Sequence, residues 1–187
     1  MTTSEGKDTL AECQALCEQS LQEIRTLSYL LHPPMLDQAG LVSALPWYID
    51  GFVRRSGIDV ALVVTQEIGR LPREMETDLF RVVQEGLANI RRHSGSRTAT
   101  VRLEKQGAVL VLQIADQGRG IPERDETAAP NGVESLGVGI VGMRHRLRQL
   151  GGQLKIDSGG QGTIVTATLP LPAEEPLRRA AGQDANE

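Results

Sequence analysis

Between residues 72 and 94 the chain reads PREMETDLFRVVQEGLANIRRHS, and Met75, Leu79, Val82, Val83, Leu87 and Ile90 recur there at helical spacing. That spacing gathers the apolar side chains on one arc of a long helix, and such an arc must be buried against another layer. The segment that follows supplies the layer. TATVRLE and AVLVLQIAD, separated by KQG, read as two strands joined by a hairpin turn. A β-rich run, GIDVALVV, precedes the helix, and a second helix over about 140–150 is followed by the strand runs GGQLKID and GTIVTATLPL. This order predicts an α+β fold: a two-layer sandwich with one mixed sheet and helices on one face.

Upstream the pattern changes. Leu10, Cys13, Cys17, Ser20, Ile24, Leu27 and Leu31 alternate by three and four, a heptad seam in which only Ser20 is polar. A lone helix cannot bury such a seam, so it calls for a second helix from this chain or a partner's; the competing reading lays it on its own domain. HPP at 32–34 stops it, because the residue before a proline avoids the α region and proline donates no backbone hydrogen bond. Leu41, Leu45, Ile49, Phe52 and Val53 predict a further helix, broken or bent near Pro46. The expected division is a disordered start at 1–9, a helical part at 10–57, the sandwich at 58–172 and a disordered tail at 173–187. Within the sandwich the polar stretch 122–136, with Pro130, Asn131 and Gly132, reads as a flexible lid.

Composition excludes several classes. With 20 Lys and Arg against 24 Asp and Glu, a net charge of −4 and 3% aromatics, neither a counterion-releasing surface nor a base-stacking platform for nucleic acid is expected. Every apolar run is far shorter than the ~20 residues that span a bilayer, and MTTSEGKDTL lacks a basic region followed by an apolar one. A soluble chain without membrane contact is the expectation. Cys13 and Cys17, four apart, fit neither a redox pair nor half of a metal site, and are expected as small buried residues of a reducing compartment.

Three constellations carry candidate chemistry. On the long helix Arg81, Glu85, Asn89 and His93 stand four apart, beside the apolar arc, where they would rim a cleft. An amide oxygen next to a carboxylate suits Mg²⁺, which takes one or two protein oxygens and leaves its other positions to phosphate and water. A solvated face wired by ion pairs fits the same spacing. Second, VLVLQIAD runs straight into Asp116, Gly118 and Gly120. A carboxylate at a strand end can accept a hydrogen bond from an exocyclic amine such as that of adenine, while glycines let the backbone pass close to the ring. An ordinary Gly-rich turn reads the same way.

Third, Gly137, Gly139 and Gly142 fit G-x-G-x-x-G, with Asp157 twenty positions beyond the first. That is the dinucleotide spacing, but the dinucleotide motif needs a strand running directly into the first glycine. Here the polar segment ERDETAAPNGVESL precedes it, so the context favours glycines that hinge a lid and receive phosphates at a helix N-terminus.

Taken in order, QEGLANIRRHS, DQGRGI, GVGIVGM and GGQLKIDSGGQGT resemble the N, G1 and G2 boxes and closing Gly-Thr of the histidine-kinase ATP-binding domain, over roughly residues 58–171. The superfamily, often written GHKL, also holds gyrase-type ATPases, the heat-shock 90 chaperones and the mismatch-repair ATPases. IRTLSYLLHPPMLDQAGLVSAL resembles the second dimerisation helix and linker of the nitrate-sensor-like histidine kinases. The resemblance implies ATP and Mg²⁺ as cofactors, with Asn89 on the metal and Glu85 beside it as a proton acceptor. Asp116 would hold the adenine amine and Gly118 and Gly120 would border the base. Gly137, Gly139 and Gly142 would form the phosphate lid, Thr163 would close the adenine site, and Arg92 and His93 would reach phosphate. Gln117, His145 and Pro46 depart from the family pattern. So does the absence of an acceptor, since His32, His93 and His145 are the only histidines and none matches the family's phosphorylated position. The expectation is therefore a cytoplasmic fragment that carries part of the dimerisation region of a full-length homodimer, with its acceptor histidine outside it and a response regulator as partner. An anti-sigma-type serine kinase and a degenerate dimerising regulator are the rival readings.

Overall fold

The computed structural model describes residues 9, 13, 14, 16, 17, 34–65, 68–121 and 138–172. Their elements run α1 (Pro34–Ala39), α2 (Leu41–Ser56), β1 (Asp59–Val64), α3 (Arg73–Asn89), a π turn (Ile90–Ser94), β2 (Thr98–Gln106), β3 (Val109–Asp116), α4 (Val138–Gln149), β4 (Gln153–Gly159) and β5 (Gly162–Pro170). One five-stranded sheet has the order β1-β2-β3-β5-β4, with β1 parallel to β2 and every other pair antiparallel. The α+β sandwich with a mixed sheet is thus the observed architecture.

Alternation in sequence becomes alternation in burial. Along β3, Leu110, Leu112, Ile114 and Asp116 are buried while their neighbours are not. Across the sheet Val101 and Leu103 of β2 and Ala167 and Leu169 of β5 face the same core. Leu79, Val82, Val83 and Leu87 of α3 and Met143 and Leu147 of α4 cover that face. Gly86 is part of this fit, since a β-carbon there would press on the Ile114 side chain.

Two expectations are corrected. The helix through Pro46 is neither broken nor split: α2 runs as one 16-residue element. Pro46 is exposed, and Leu41, Ala44, Leu45, Tyr48, Ile49 and Phe52 are buried in the shared core, so packing offsets the missing backbone bond. Tyr48 meets Phe80 edge-on at 5.2 Å between ring centroids, and burial raises the Tyr48 phenol above the usual tyrosine range, keeping it neutral. Cys13 and Cys17, expected to be buried, are exposed in the single chain, as is Leu16 beside them. The remainder of the heptad seam, the lid at 122–136 and the tail at 173–187 lie outside the described residues.

Residues 34–56, grouped by sequence with the upstream helix, share the core of the sandwich and are further pinned by charge. Buried Glu76 accepts from Arg70 Nε and Nη2 at 3.1 Å each, and from the Leu71 N–H at 3.2 Å. The same guanidinium donates to the carbonyls of Gln38 and Asp37, and Arg73 makes a two-point pair with the Asp37 carboxylate. Removing the cation leaves a carboxylate buried with one partner fewer, which is expensive. Arg70→Met is expected to destabilise the chain by about 2 kcal/mol in urea melts. An unchanged midpoint would show the pair to be surface wiring.

Candidate nucleotide-binding site

The end of α3, the π turn, the loop after β3, the first turn of α4 and inward residues of β3–β5 converge on a cavity of about 500 Å³. Its walls include Ile90, Ile114, Ile140, Ile156 and Val165, while Glu85, Asn89, Arg92, His93, Asp116 and Thr163 supply its polar groups. A mainly apolar cleft with a few fixed polar groups suits a flat heterocycle carrying a charged tail.

Glu85 and Asn89 lie one turn apart on α3 and both face this space, as their position beside the apolar arc predicts. Arg81, at the other end of the expected row, does not line the cavity; it donates to Gln84 Oε1 at 3.2 Å. Nor does the row continue as α-helix, because after Asn89 the chain widens into the π turn. Arg92 and His93 line the cavity from that turn, and Arg92 approaches Glu85 at 3.8 Å. Ser94, buried at its end, donates from Oγ to the Ile90 carbonyl at 2.8 Å and accepts the Ser96 N–H at 2.9 Å. Such local bonding competes with the regular ladder, which is a physical reason for the helix to end there.

Asp116 closes β3 and is 8% exposed. Its Oδ1 accepts the Gly118 N–H at 2.7 Å, which fixes the carboxylate and leaves its second oxygen to offer. Gly118 does not line the cavity; it allows close approach, since a β-carbon there would overlap the Ser94 carbonyl oxygen. Gly120 does line it, at φ +70°, and a β-carbon would overlap the Gly159 carbonyl oxygen. Only glycine satisfies both constraints without strain. The loop is held on its far side by the Ile121 N–H, which donates to Ser158 Oγ at 2.7 Å, and Ser158 Oγ lies 3.0 Å from Thr163 Oγ1. Thr163 is thereby oriented by the hairpin that brings it to the cavity.

Of the three lid glycines, Gly139 lies against the Glu85 side chain, whose carboxylate would have to move to admit a β-carbon there. Gly142 lies outside the cavity wall, where a β-carbon would meet only the Arg146 guanidinium at 3.4 Å. Gly137 falls outside the described residues. Missing from the sequence reading were Arg119, Ser94 and Ser158, together with the apolar walls. Ile114 was within reach, because it stands two before Asp116 on one strand face. Ser158 gave no signal, since nothing local marks a hydroxyl that bonds a loop 37 residues away.

Among the described residues no three His, Cys, Asp or Glu side chains cluster as a cation cage. The donor set still fits Mg²⁺ with nucleotide: one amide oxygen from Asn89, the adjacent Glu85, and room for phosphate oxygens and water.

The profile of the histidine kinase-, DNA gyrase B- and HSP90-like ATPases matches residues 74–173. The signal transduction histidine-protein kinase/phosphatase DegS of Brevibacillus brevis is 32% identical over 172 residues, covering 91% of this chain and 43% of that protein. Sensor histidine kinase MctS of Rhizobium johnstonii is 32% identical over 162 residues, 87% of this chain and 34% of that protein. The oxygen sensor histidine kinase NreB of Staphylococcus carnosus is 30% identical over 165 residues, 88% of this chain and 46% of that protein. The chain thus spans less than half the length of each relative. Among solved structures, the histidine kinase domain of the Erythrobacter litoralis EL346 blue-light activated kinase superposes with a TM-score of 0.55 at 28% identity, over 70% of this chain and 61% of that one. Acinetobacter baumannii AdeS, at 18% identity and a TM-score of 0.55 over 91% of this chain and 86% of that one, shares the fold. This chain belongs to the histidine kinase-, DNA gyrase B- and HSP90-like ATPase family, as a catalytic domain of the sensor histidine kinase kind.

Proposed function

We propose that this chain binds ATP with Mg²⁺ and presents the γ-phosphoryl group to a histidine outside residues 1–187, as the catalytic part of a two-component sensor kinase. The observation that carries the reading is the fixed Asp116 carboxylate, lining the same apolar cavity as Glu85 and Asn89. Asp116 accepts a hydrogen bond from the adenine amine, and the isoleucine walls exclude water from the ring. Asn89 supplies the metal's protein oxygen, and Mg²⁺ when bound neutralises charge on the phosphate oxygens. Arg92 and His93 face the phosphates, Gly120 and Thr163 border the base, and Gly139 admits the tail beside the start of α4. Glu85, one turn before Asn89, accepts the proton that the attacking imidazole gives up.

The remaining work is positioning an outside nucleophile in line with the γ-phosphorus. Partners implied are a second copy, joined through the heptad seam, and a response regulator, all on the cytoplasmic side where ATP is available. In this reading none of His32, His93 and His145 stands at the family's acceptor position, and His93 lines the nucleotide cavity, so the acceptor is supplied from outside. Incubated with Mg²⁺ and γ-labelled ATP, the chain is expected to bind nucleotide and remain unlabelled, while a longer protein carrying the upstream dimerisation helix becomes labelled. Phosphohistidine on the chain alone would overturn the assignment of an outside acceptor.

A further inference from the structure

We propose that Arg119 is a positioning residue for the metal and phosphate half of the site, acting from the loop that carries the base-binding half. The proposal rests on the nucleotide-binding reading above and names what ties its two halves together. The Arg119 backbone N–H donates to the Ser94 carbonyl at 2.9 Å, and its Nε–H donates to the His93 carbonyl at 2.7 Å. Both carbonyls belong to the end of the π turn, where the last acceptors of a helix have no partner in a following turn. A cation at that end also complements the helix dipole. Gly118 makes the approach possible, because any side chain there would strike the Ser94 carbonyl and Cβ.

The π turn begins immediately after Asn89 and carries Arg92 and His93 into the cavity. Turns of this kind are rare, single-turn features of helices, often found at functional sites. Here one end is set by α3 and the other by Arg119, which extends from a loop whose first residue follows Asp116. The link between the Asp116 loop and the π turn after Asn89 therefore includes one guanidinium, beside the bonds donated by the Arg119 N–H to the Ser94 carbonyl and by the Gln117 N–H to Ser96 Oγ. Arg119 is exposed, so its replacement removes a restraint and leaves the core in place.

The test compares the wild-type chain with Arg119→Met, which keeps length but loses the donor, and Arg119→Lys, whose ammonium can still reach one carbonyl. Each is titrated with Mg²⁺-ADP and with adenosine, and the Asn89 side-chain amide signals are recorded by NMR without nucleotide. Arg119→Met is expected to weaken Mg²⁺-ADP by about tenfold, the scale of a hydrogen bond from a charged donor, with adenosine changed by less than about twofold. The Asn89 signals move in the empty protein, and Arg119→Lys recovers part of the affinity. Equal losses for both ligands, or no loss for Mg²⁺-ADP, would overturn the proposal. So would a loss confined to Mg²⁺-ADP with unmoved Asn89 signals, which would mark Arg119 as a direct phosphate contact. Wild-type chain that binds neither ligand would remove the parent reading and this one with it, whereas normal wild-type binding with the wrong variant pattern removes only the role of Arg119.

Discussion

Asp116→Asn is expected to lower ADP affinity by about 100-fold or more, in a protein that still folds. The substitution keeps size and keeps an oxygen able to accept the Gly118 N–H, so the loop geometry in which Oδ1 is held at 2.7 Å survives. What changes is the second group. A carboxylate offers another acceptor, whereas an amide offers an NH₂, and two donors then face each other where the adenine amine should bond. Asp116 is 8% exposed, so water cannot readily repair the mismatch. Calorimetry with ADP reads the loss, and tight binding by Asp116→Asn would show that this carboxylate does not hold the base.

The second large effect is on the metal. Asn89→Ala removes the amide oxygen one turn after Glu85, in a chain whose described residues contain no carboxylate or imidazole cluster to replace it. Affinity for ADP in the variant is expected to become indifferent to Mg²⁺, and phosphotransfer by the full-length kinase to fall by about 100-fold or more. ADP titrations at zero and millimolar Mg²⁺ check the first part. A variant that keeps the wild-type metal response would move the metal to another ligand. These two substitutions divide the cavity into a base end and a metal end, which the variant pattern can tell apart.

Much of this arrangement is legible in the sequence because short-range patterns determine it. The period-two run from Val109 to Asp116 puts Leu110, Leu112, Ile114 and the carboxylate on one face, so strand, core and site follow from one alternation. The helical arc of Met75 to Ile90 likewise predicts both the buried face of α3 and the cleft-side place of Glu85 and Asn89. Long-range contacts are harder to read. Nothing near Arg119 in sequence announces bonds to residues 93 and 94, and nothing near Asn89 announces the widening of the helix that follows it. Pro46 misled for a related reason: a local penalty of the kind that breaks isolated helices was outweighed by six buried side chains on the same helix. Cys13 and Cys17 show the reverse: two small apolar residues at helical spacing that are exposed in the single chain. In the site, Gly142 matched a spacing while its surroundings place it away from the cavity.

The central claim, that this cavity is an Mg²⁺-dependent adenine nucleotide site, is tested most directly by titrating the wild-type chain with ADP and with ATP, each with and without Mg²⁺. Saturable binding of both nucleotides, tightened by Mg²⁺, is the predicted result. A folded chain that binds neither would contradict it and leave the cavity as the relic of an ATPase turned to holding a partner.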